Sequence, residues 1–484
     1  MNFRIVSYVV GRILQLEAAL FMLPLIVSLI YSGTDGMMPF WAFLISAAIA
    51  LCVGLLFTYI IGKNNKLIFA REGFAIVSLA WILMSAVGAL PFVISKEIPS
   101  FIDAFFETVS GFTTTGASIL IDVEALSHGI LFWRSFTHWL GGMGVLVFIM
   151  AILPQDTGRN IHIMRAEMPG PIVGKLVPRI RDTAKILYII YMVITAVEVV
   201  LLLFGGMDVF ESLVHSFGTA GTGGFGIKAD SLGSYNAYLQ WVITIFMLLF
   251  GVNFNLYYLI LIKQFKTAVK STELWVYGII VLFSGIVITI NILPMYSDAA
   301  EALRHAFFQV ASIITTTGYS SVDFNLWPGF SKALLVVLMF VGGCAGSTAG
   351  GIKISRFIIA IKTVFKDIRK MLHPRSVSGV KFEGKKVDEK TINSVSLYFA
   401  FYFIIFLVIF LLLSLEPFSF EANFTATAAC FNNIGPGLAE VGPMSGFAAY
   451  SIPAKILLSF AMLLGRLEIF PLLLLFTPSM WKKK

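Results

Sequence analysis

Ten apolar runs decide what this chain can fold into, because each approaches the ~20 residues that cross a hydrocarbon core as helix. They cover 13–31, 41–61, 75–94, 131–153, 186–206, 239–262, 274–293, 333–361, 395–415 and 454–476. Over 484 residues, 58% are hydrophobic and only 13% charged, a balance that excludes a soluble fold of this length. An all-α polytopic membrane protein is expected. Arg4 and Arg12 precede the first run, but it is long and no small-x-small site closes it, so it is expected to stay as a transmembrane helix.

Between certain runs lie stretches too short to span, each closed by a small or polar run. The closing runs are Thr113-Thr114-Thr115-Gly116, Gly221-Thr222-Gly223-Gly224, Thr315-Thr316-Thr317-Gly318 and Asn432-Asn433-Ile434-Gly435. Asp103-Ala-Phe-Phe-Glu-Thr-Val-Ser-Gly-Phe-Thr-Thr-Thr-Gly116 aligns with His305-Ala-Phe-Phe-Gln-Val-Ala-Ser-Ile-Ile-Thr-Thr-Thr-Gly318, so these are copies of one unit. Such a segment must dip in and return, and irregular backbone at that depth is tolerable only when it is buried in protein or lines a wet cavity. The expectation is four repeats of helix, re-entrant pore helix with filter turn, and helix around a central pore. An extra N-terminal helix pair (1–73) precedes repeats at 74–183, 184–273, 274–393 and 394–484.

Backbone carbonyls at such turns can replace the water around a cation, and glycine permits the positive φ that turns a carbonyl inward. No quadrant carries Thr-Val-Gly-Tyr-Gly, so fewer carbonyl layers and looser selectivity are expected. Asp103, Glu211, Glu301 and Glu421 fall at the outer starts of the pore helices, either as N-terminal caps or as a cation-attracting mouth.

The stretch 342–351 contains Gly342, Gly343, Gly346, Gly350 and Gly351 with Ser347 and Thr348. That is poor helix material, so the helix should break below a filter and form a loop in the pore path. Close helix packing through small residues is the competing account. A phosphate loop is set aside, because Lys353 misses the required spacing and no strand precedes it. Arg466 lies inside the last apolar run, where a charge costs about 3 kcal/mol or more unless it meets water or a partner. It should point inward as an electrostatic barrier below the filter, or else pair with Glu198. Lys353 and Arg356, just past this loop, should either contact a partner or, as the favoured reading, snorkel toward the aqueous edge.

Lys and Arg collect in alternate loops, including 362–390 and Lys482, Lys483 and Lys484. By the positive-inside rule both termini are then cytoplasmic and the filter turns enter from outside. The net charge of +8 is explained by this topology, and no aromatic interleaving points to nucleic acid. Cys52, Cys344 and Cys430 show no paired spacing.

The repeat, together with Arg165-Ala-Glu-Met-Pro-Gly-Pro171, Gly342-Gly-Cys-Ala-Gly-Ser-Thr-Ala-Gly-Gly351, Asn432-Asn-Ile-Gly-Pro-Gly437 and Gly465-Arg-Leu-Glu468, resembles the TrkH/TrkG membrane subunits of bacterial potassium uptake systems. The N-terminal pair resembles Trk rather than KtrB subunits. The resemblance implies an inner-membrane potassium transporter, homodimeric, regulated by a cytoplasmic nucleotide-binding TrkA-like ring. Membrane lipid and the transported potassium would be its surroundings and cargo, with no organic cofactor. It assigns filter roles to Thr114, Thr115, Gly116, Thr222, Gly223, Gly224, Thr316, Thr317, Gly318, Asn433, Ile434 and Gly435, although the glycines of the second quadrant depart from the family pattern. The loop 342–351 with Arg466 would be its gate, and the basic loop 362–390 the docking site of the ring. A coupled cation symporter with a midplane site is the alternative; it would need midplane ionisable groups, for which Glu198 and Arg466 are the candidates. No His-Glu-x-x-His, paired membrane Asp or Gly-x-Ser-x-Gly turn supports a membrane enzyme.

Overall fold

A computed structural model describes residues 1–61, 69–144, 180–375 and 379–481. The motif at 165–171, the end of the run 131–153, and Lys63, Lys66, Lys482, Lys483 and Lys484 lie outside the described residues.

Among the described residues, six helices are long and apolar enough to cross a membrane: Phe3–Ile30, Met38–Tyr59, Ala70–Ile94, Asp182–Phe204, Thr272–Met295 and Glu389–Leu413. The first begins ten residues before the apolar run that announced it, because Arg12 stays in a partly buried polar cluster with Tyr8 and Gln15. Four shorter helices follow spans and carry the closing runs at their C-terminal ends: Phe101–Phe112, Val209–Gly221, Ala299–Ile314 and Phe420–Phe431. Each starts on a side-chain cap, from Ser100, Asp208, Asp298 and Ser419 respectively, which satisfies an amide that the first turn leaves open.

Three of the apolar runs are interrupted: 333–361, where the glycines of 342–351 lead one to expect a break, and two others expected to be continuous. The run 239–262 is Ala237–Phe250 and Phe254–Leu261, bent by 89°. The run 333–361 is Gly329–Val341 and Ile354–Leu372 with a loop between. The run 454–476 is Ile452–Arg466 and Phe470–Leu475, separated where Glu468 and Ile469 take φ of 53° and 70°. Hydropathy alone reads through such breaks, since the broken segment stays apolar while its backbone turns.

The pore helices pack in a cycle. Phe101–Phe112 lies against His128–Gly142 of its own quadrant and Ile452–Arg466 of the fourth; Val209–Gly221 lies against Ala237–Phe250 and His128–Gly142. Ala299–Ile314 contacts Gly329–Val341 and Ala237–Phe250, and Phe420–Phe431 contacts Ile452–Arg466 and Gly329–Val341. Every pore helix is thus wedged between the following helix of its own quadrant and that of the quadrant before, and the fourth closes on the first. The core follows this wedge, with Phe106, Val109, Val214, Phe308, Val310 and Ala426 fully or almost fully buried.

The N-terminal pair packs through large buried side chains such as Phe21 and Phe43 and also through close backbone approach. A Cβ added at Gly54 would fall 2.8 Å from Gly11 O, and one at Gly11 would fall 2.7 Å from Gly54 O. The pair is finished by a hydrogen bond from Gln15 Nε2 to Thr58 Oγ1 at 2.9 Å. Gly54→Leu is therefore expected to cost about 1–3 kcal/mol and lower the unfolding midpoint in detergent, read by fluorescence-detected size exclusion. Gly33→Ala, where nothing lies within 4 Å, should leave the midpoint unchanged.

Candidate functional site

Each pore helix ends in the same two hydrogen bonds. Thr114 N donates to Gly111 O and Thr115 N to Ser110 O; Thr222 N donates to Thr219 O and Gly223 N to Gly218 O. Thr316 N and Thr317 N repeat this on Ile313 O and Ser312 O, and Asn433 N and Ile434 N on Cys430 O and Ala429 O. These paired bonds, one spanning three residues and one spanning five, form the Schellman helix ending, which requires a left-handed residue. Here that residue is not glycine: Thr114, Thr222, Thr316 and Asn433 take φ of 56°, 56°, 57° and 57°. Two residues later Gly116, Gly224, Gly318 and Gly435 return to positive φ, at 78°, 75°, 84° and 102°.

The four turns close a ring. A Cβ added at Gly116 would lie 2.0 Å from Gly223 O, at Gly224 2.0 Å from Thr317 O, at Gly318 2.0 Å from Ile434 O, and at Gly435 2.8 Å from Thr115 O. In every quadrant the closing glycine abuts the carbonyl just before the closing glycine of the next, and the fourth abuts the first. All four glycines line one cavity of about 260 Å³, shared with Ser118, Arg134, Phe225, Lys228, Pro436 and Phe447 among others. The second quadrant keeps the ring geometry in spite of its extra glycines. Gly223 faces the His138 imidazole, with a Cβ there falling 2.3 Å from ring atoms, so no side chain fits.

His138 ties two quadrants together. Its Nδ1 is 2.8 Å from Gly111 O and its Nε2 accepts from Phe225 N at 3.3 Å, which places the proton on Nδ1. Behind the first turn Arg134 and Glu107 form an ion pair at 2.8 Å with both side chains at most 2% exposed. Glu107 also accepts from Ser118 Oγ and Ile119 N, at 2.9 and 3.0 Å, while Arg134 donates to Gly226 O and lies over the Phe225 ring. The pair braces the segments that leave the first two turns. Tyr319 does the same for the third, its hydroxyl within 3.3 Å of His215 O and Phe225 O.

Directly beneath lies the loop between Val341 and Ile354. Gly350 N donates to Thr316 Oγ1 at 2.6 Å and Gly351 N to Asn432 O at 3.1 Å. Cys344 N donates to Gly251 O, and Thr348 Oγ1 to Phe250 O, so the loop also docks on the break in the second quadrant. Arg466 donates to Thr114 Oγ1 at 3.2 Å, to Thr348 O at 3.0 Å, to Gly142 O at 2.7 Å and to Gly141 O. One guanidinium therefore joins the first of the four turns, the loop and the end of His128–Gly142. The alternative partner Glu198 is not among these contacts; its carboxylate is buried beside Thr219.

Several expectations need correction. Asp103, Glu211, Glu301 and Glu421 do sit in the first turns of the pore helices, but the helices are capped by other residues and the cavity at the ring has, among the described residues, Arg134 and Lys228 and no carboxylate in its lining. Asp103 pairs with Lys455 at 2.7 Å, Glu421 with Lys332 at 3.4 Å, and Glu301 approaches His305 at 3.7 Å. Pore helices point their C-terminal ends at the axis, which carries their first turns away from it. Lys353 and Arg356 do not snorkel. Lys353 is 1% exposed and donates to Ala349 O, while Arg356 pairs with Glu468 and lies over the Tyr398 ring. Ionisable groups within the membrane are also more numerous than Glu198 and Arg466. Glu107 and Arg134 were missed, although a charge within a short apolar helix and another inside the run 131–153 each called for a partner.

Re-entrant helices closing a carbonyl ring inside a bundle of spanning helices define a membrane cation-transport protein rather than an enzyme. The sequence profile of the TrkH family, described as cation transport protein, matches residues 41–483, and the chain belongs to that family. It is 37% identical to the Trk system potassium uptake protein TrkH of Escherichia coli K12, over the whole of both chains. It is 34% identical to TrkG of the same organism over 99% of each. The crystal structure of the potassium transporter TrkH from Vibrio parahaemolyticus superimposes with a TM-score of 0.89 at 32% identity, covering all of both chains.

Removing one member of the buried Arg134–Glu107 pair strands a charge. Arg134→Ala is expected to cost about 3–5 kcal/mol, seen as a loss of monodisperse protein or a fallen unfolding midpoint, whereas Arg134→Met combined with Glu107→Leu should recover most of it.

Proposed function

We propose that the chain carries potassium inward through the ring of four turns, and that the loop 342–351 with Arg466 is its gate. The observation that carries this is the closure of the ring, with each closing glycine against a carbonyl of the next quadrant. A cation that sheds water there meets carbonyl oxygens in its place. The relatives' names supply potassium as the ion. Thr114, Thr115 and Gly116 with their counterparts Thr222, Gly223 and Gly224, Thr316, Thr317 and Gly318, and Asn433, Ile434 and Gly435 form the filter. The membrane potential drives entry with about 2.3 kcal/mol per charge per 100 mV.

The loop crosses directly below this ring and Arg466 places a positive charge beside it. Leaving Thr316 Oγ1 and Asn432 O would clear the path. The protein works in the inner membrane as a homodimer with both termini cytoplasmic, and a TrkA-like nucleotide-binding ring acts from that side, with the basic segment 362–390 as the surface it meets. Symport with a proton or sodium is the second reading, and the carboxylate of Glu198, fully buried beside Thr219, is what favours it.

Rubidium influx into proteoliposomes, with potassium or sodium as competitor, tests the filter. Influx should be blocked by potassium and weakly by sodium. Gly318→Ser inserts an atom against Ile434 O, and a loss of even ~1.4 kcal/mol in coordination lowers the rate about tenfold. Rubidium influx that is absent from the protein with and without its cytoplasmic partner would overturn the pore. For the gate, Arg466→Ala should raise basal influx; an unchanged rate would remove Arg466 from it.

A further inference from the structure

The loop below the ring is tied to a distant hairpin through two carboxylates that neither the filter nor Arg466 uses. Glu273 is the second residue of Thr272–Ile292, at the end remote from the third pore helix. It is 4% exposed, and its Oε1 accepts from Ala345 N at 2.8 Å and from Ser355 N at 3.1 Å. Ala345 lies in the first half of the loop and Ser355 just beyond its end. A single oxygen therefore pins both flanks of the loop to one helix.

What holds Glu273 in turn is Glu383. Its Oε1 accepts from Glu273 N at 3.0 Å and from Ser271 Oγ at 3.1 Å, capping the same helix start that Ser271 caps through Leu274 N. Glu383 sits at the tip of a two-residue hairpin between Lys381–Phe382 and Lys385–Lys386. Glu383 and Gly384 both take positive φ, 49° and 72°, the turn that matches the twist of its strands. The hairpin is seated by Val380, Phe382 and Val387, all buried, and by Lys362 Nζ donating to Lys381 O at 2.9 Å. Lys381, Lys385 and Lys386 stay exposed.

We propose that Glu273 is a positioning residue that holds the gate loop across the pore, and that the hairpin sets Glu273 through Glu383. Displacing the hairpin then releases the loop. This rests on the loop being the gate. The connection is short and rigid: one side-chain oxygen from hairpin to helix start, and one from helix start to loop. The two acids act in series, so losing both should do no more than losing the one nearer the loop.

The test is basal rubidium influx into proteoliposomes bearing the full chain, with sodium competition measured alongside. Glu273→Ala removes the acceptor of two buried amides and should raise influx about tenfold. Glu383→Ala should raise it less. The double variant should match Glu273→Ala, and Glu273→Gln, which keeps an acceptor oxygen, should bring influx back toward that of the parent. Preference for rubidium over sodium should not move in any of them, because the ring is not touched; a general loss of structure would lower both influx and preference.

Arg466→Ala separates the two ideas. If it raises influx while Glu273→Ala and Glu383→Ala behave as the parent, the coupling is wrong and the gate stands. If all three behave as the parent, the gate itself is wrong. Additive effects in the double variant would also sink the coupling. Should Glu273→Ala fail to give monodisperse protein, the surface variant Glu383→Ala decides the question, and parent-like influx there overturns the proposal.

Discussion

The left-handed residue at the end of each pore helix is the constraint on which the rest depends. A β-branched residue in that conformation costs on the order of 1–3 kcal/mol, and the chain accepts it at Thr114, Thr222 and Thr316, with Asn433 in the fourth place. Glycine would relieve the strain but would bring no side chain. Thr316 Oγ1 receives Gly350 N, Thr114 Oγ1 receives Arg466, and Asn433 Nδ2 donates to Thr115 Oγ1 and Met462 O. Thr222 Oγ1 donates to its neighbour's carbonyl, Gly221 O. The turn that aims carbonyls around the ring thus also presents a polar side chain to the loop or its arginine in two quadrants. Ring and loop share residues, so neither rearranges without strain in the other.

The charge logic runs through backbone rather than carboxylates. Each pore helix ends with about half a negative charge at its C-terminus, and four such ends meet at the ring. The acids at the opposite ends steady the helices, and three of them are engaged by Lys455, His305 and Lys332. In the cavity at the ring Arg134 is paired with Glu107 and Lys228 lies over the Tyr235 ring, so fixed positive charge there is muted. Facing the helix ends is the positive charge of Arg466, whose guanidinium donates to the carbonyls of Gly141, Gly142 and Thr348 and to the Thr114 hydroxyl.

What could be read from the sequence follows from what is local. Span lengths and the repeated Thr-Thr-Thr-Gly runs are local, and they gave the bundle and the four turns. The loop at 342–351 was legible because its glycines crowd one window. The break at 251–253 was not, since Gly251-Val252-Asn253 is short and flanked by strongly apolar sequence. Nor was the turn at Glu468 and Ile469, two non-glycine residues with positive φ. The Glu107–Arg134 pair joins residues 27 apart on different helices, and no periodicity announces it. The outer acids were recognised as a set, but their direction relative to the axis is a tertiary fact that the pattern does not contain.

The breaks also explain why a loop could be held here at all. An intact helix satisfies its own carbonyls; an interrupted one leaves them open at membrane depth, where something must bond to them. Gly251 O is taken by Cys344 N, Phe250 O by Thr348 Oγ1, Asn432 O by Gly351 N, and Gly141 O and Gly142 O by Arg466. The loop and its arginine therefore occupy acceptors that the fold has freed by breaking its helices and ending its pore helices at one height. In a water-filled passage those acceptors could turn to solvent, with a net change per bond of only about 0.5–1.5 kcal/mol. A segment secured by several such bonds is firmly placed yet can be released by modest work, which is the energetic condition for a two-state element.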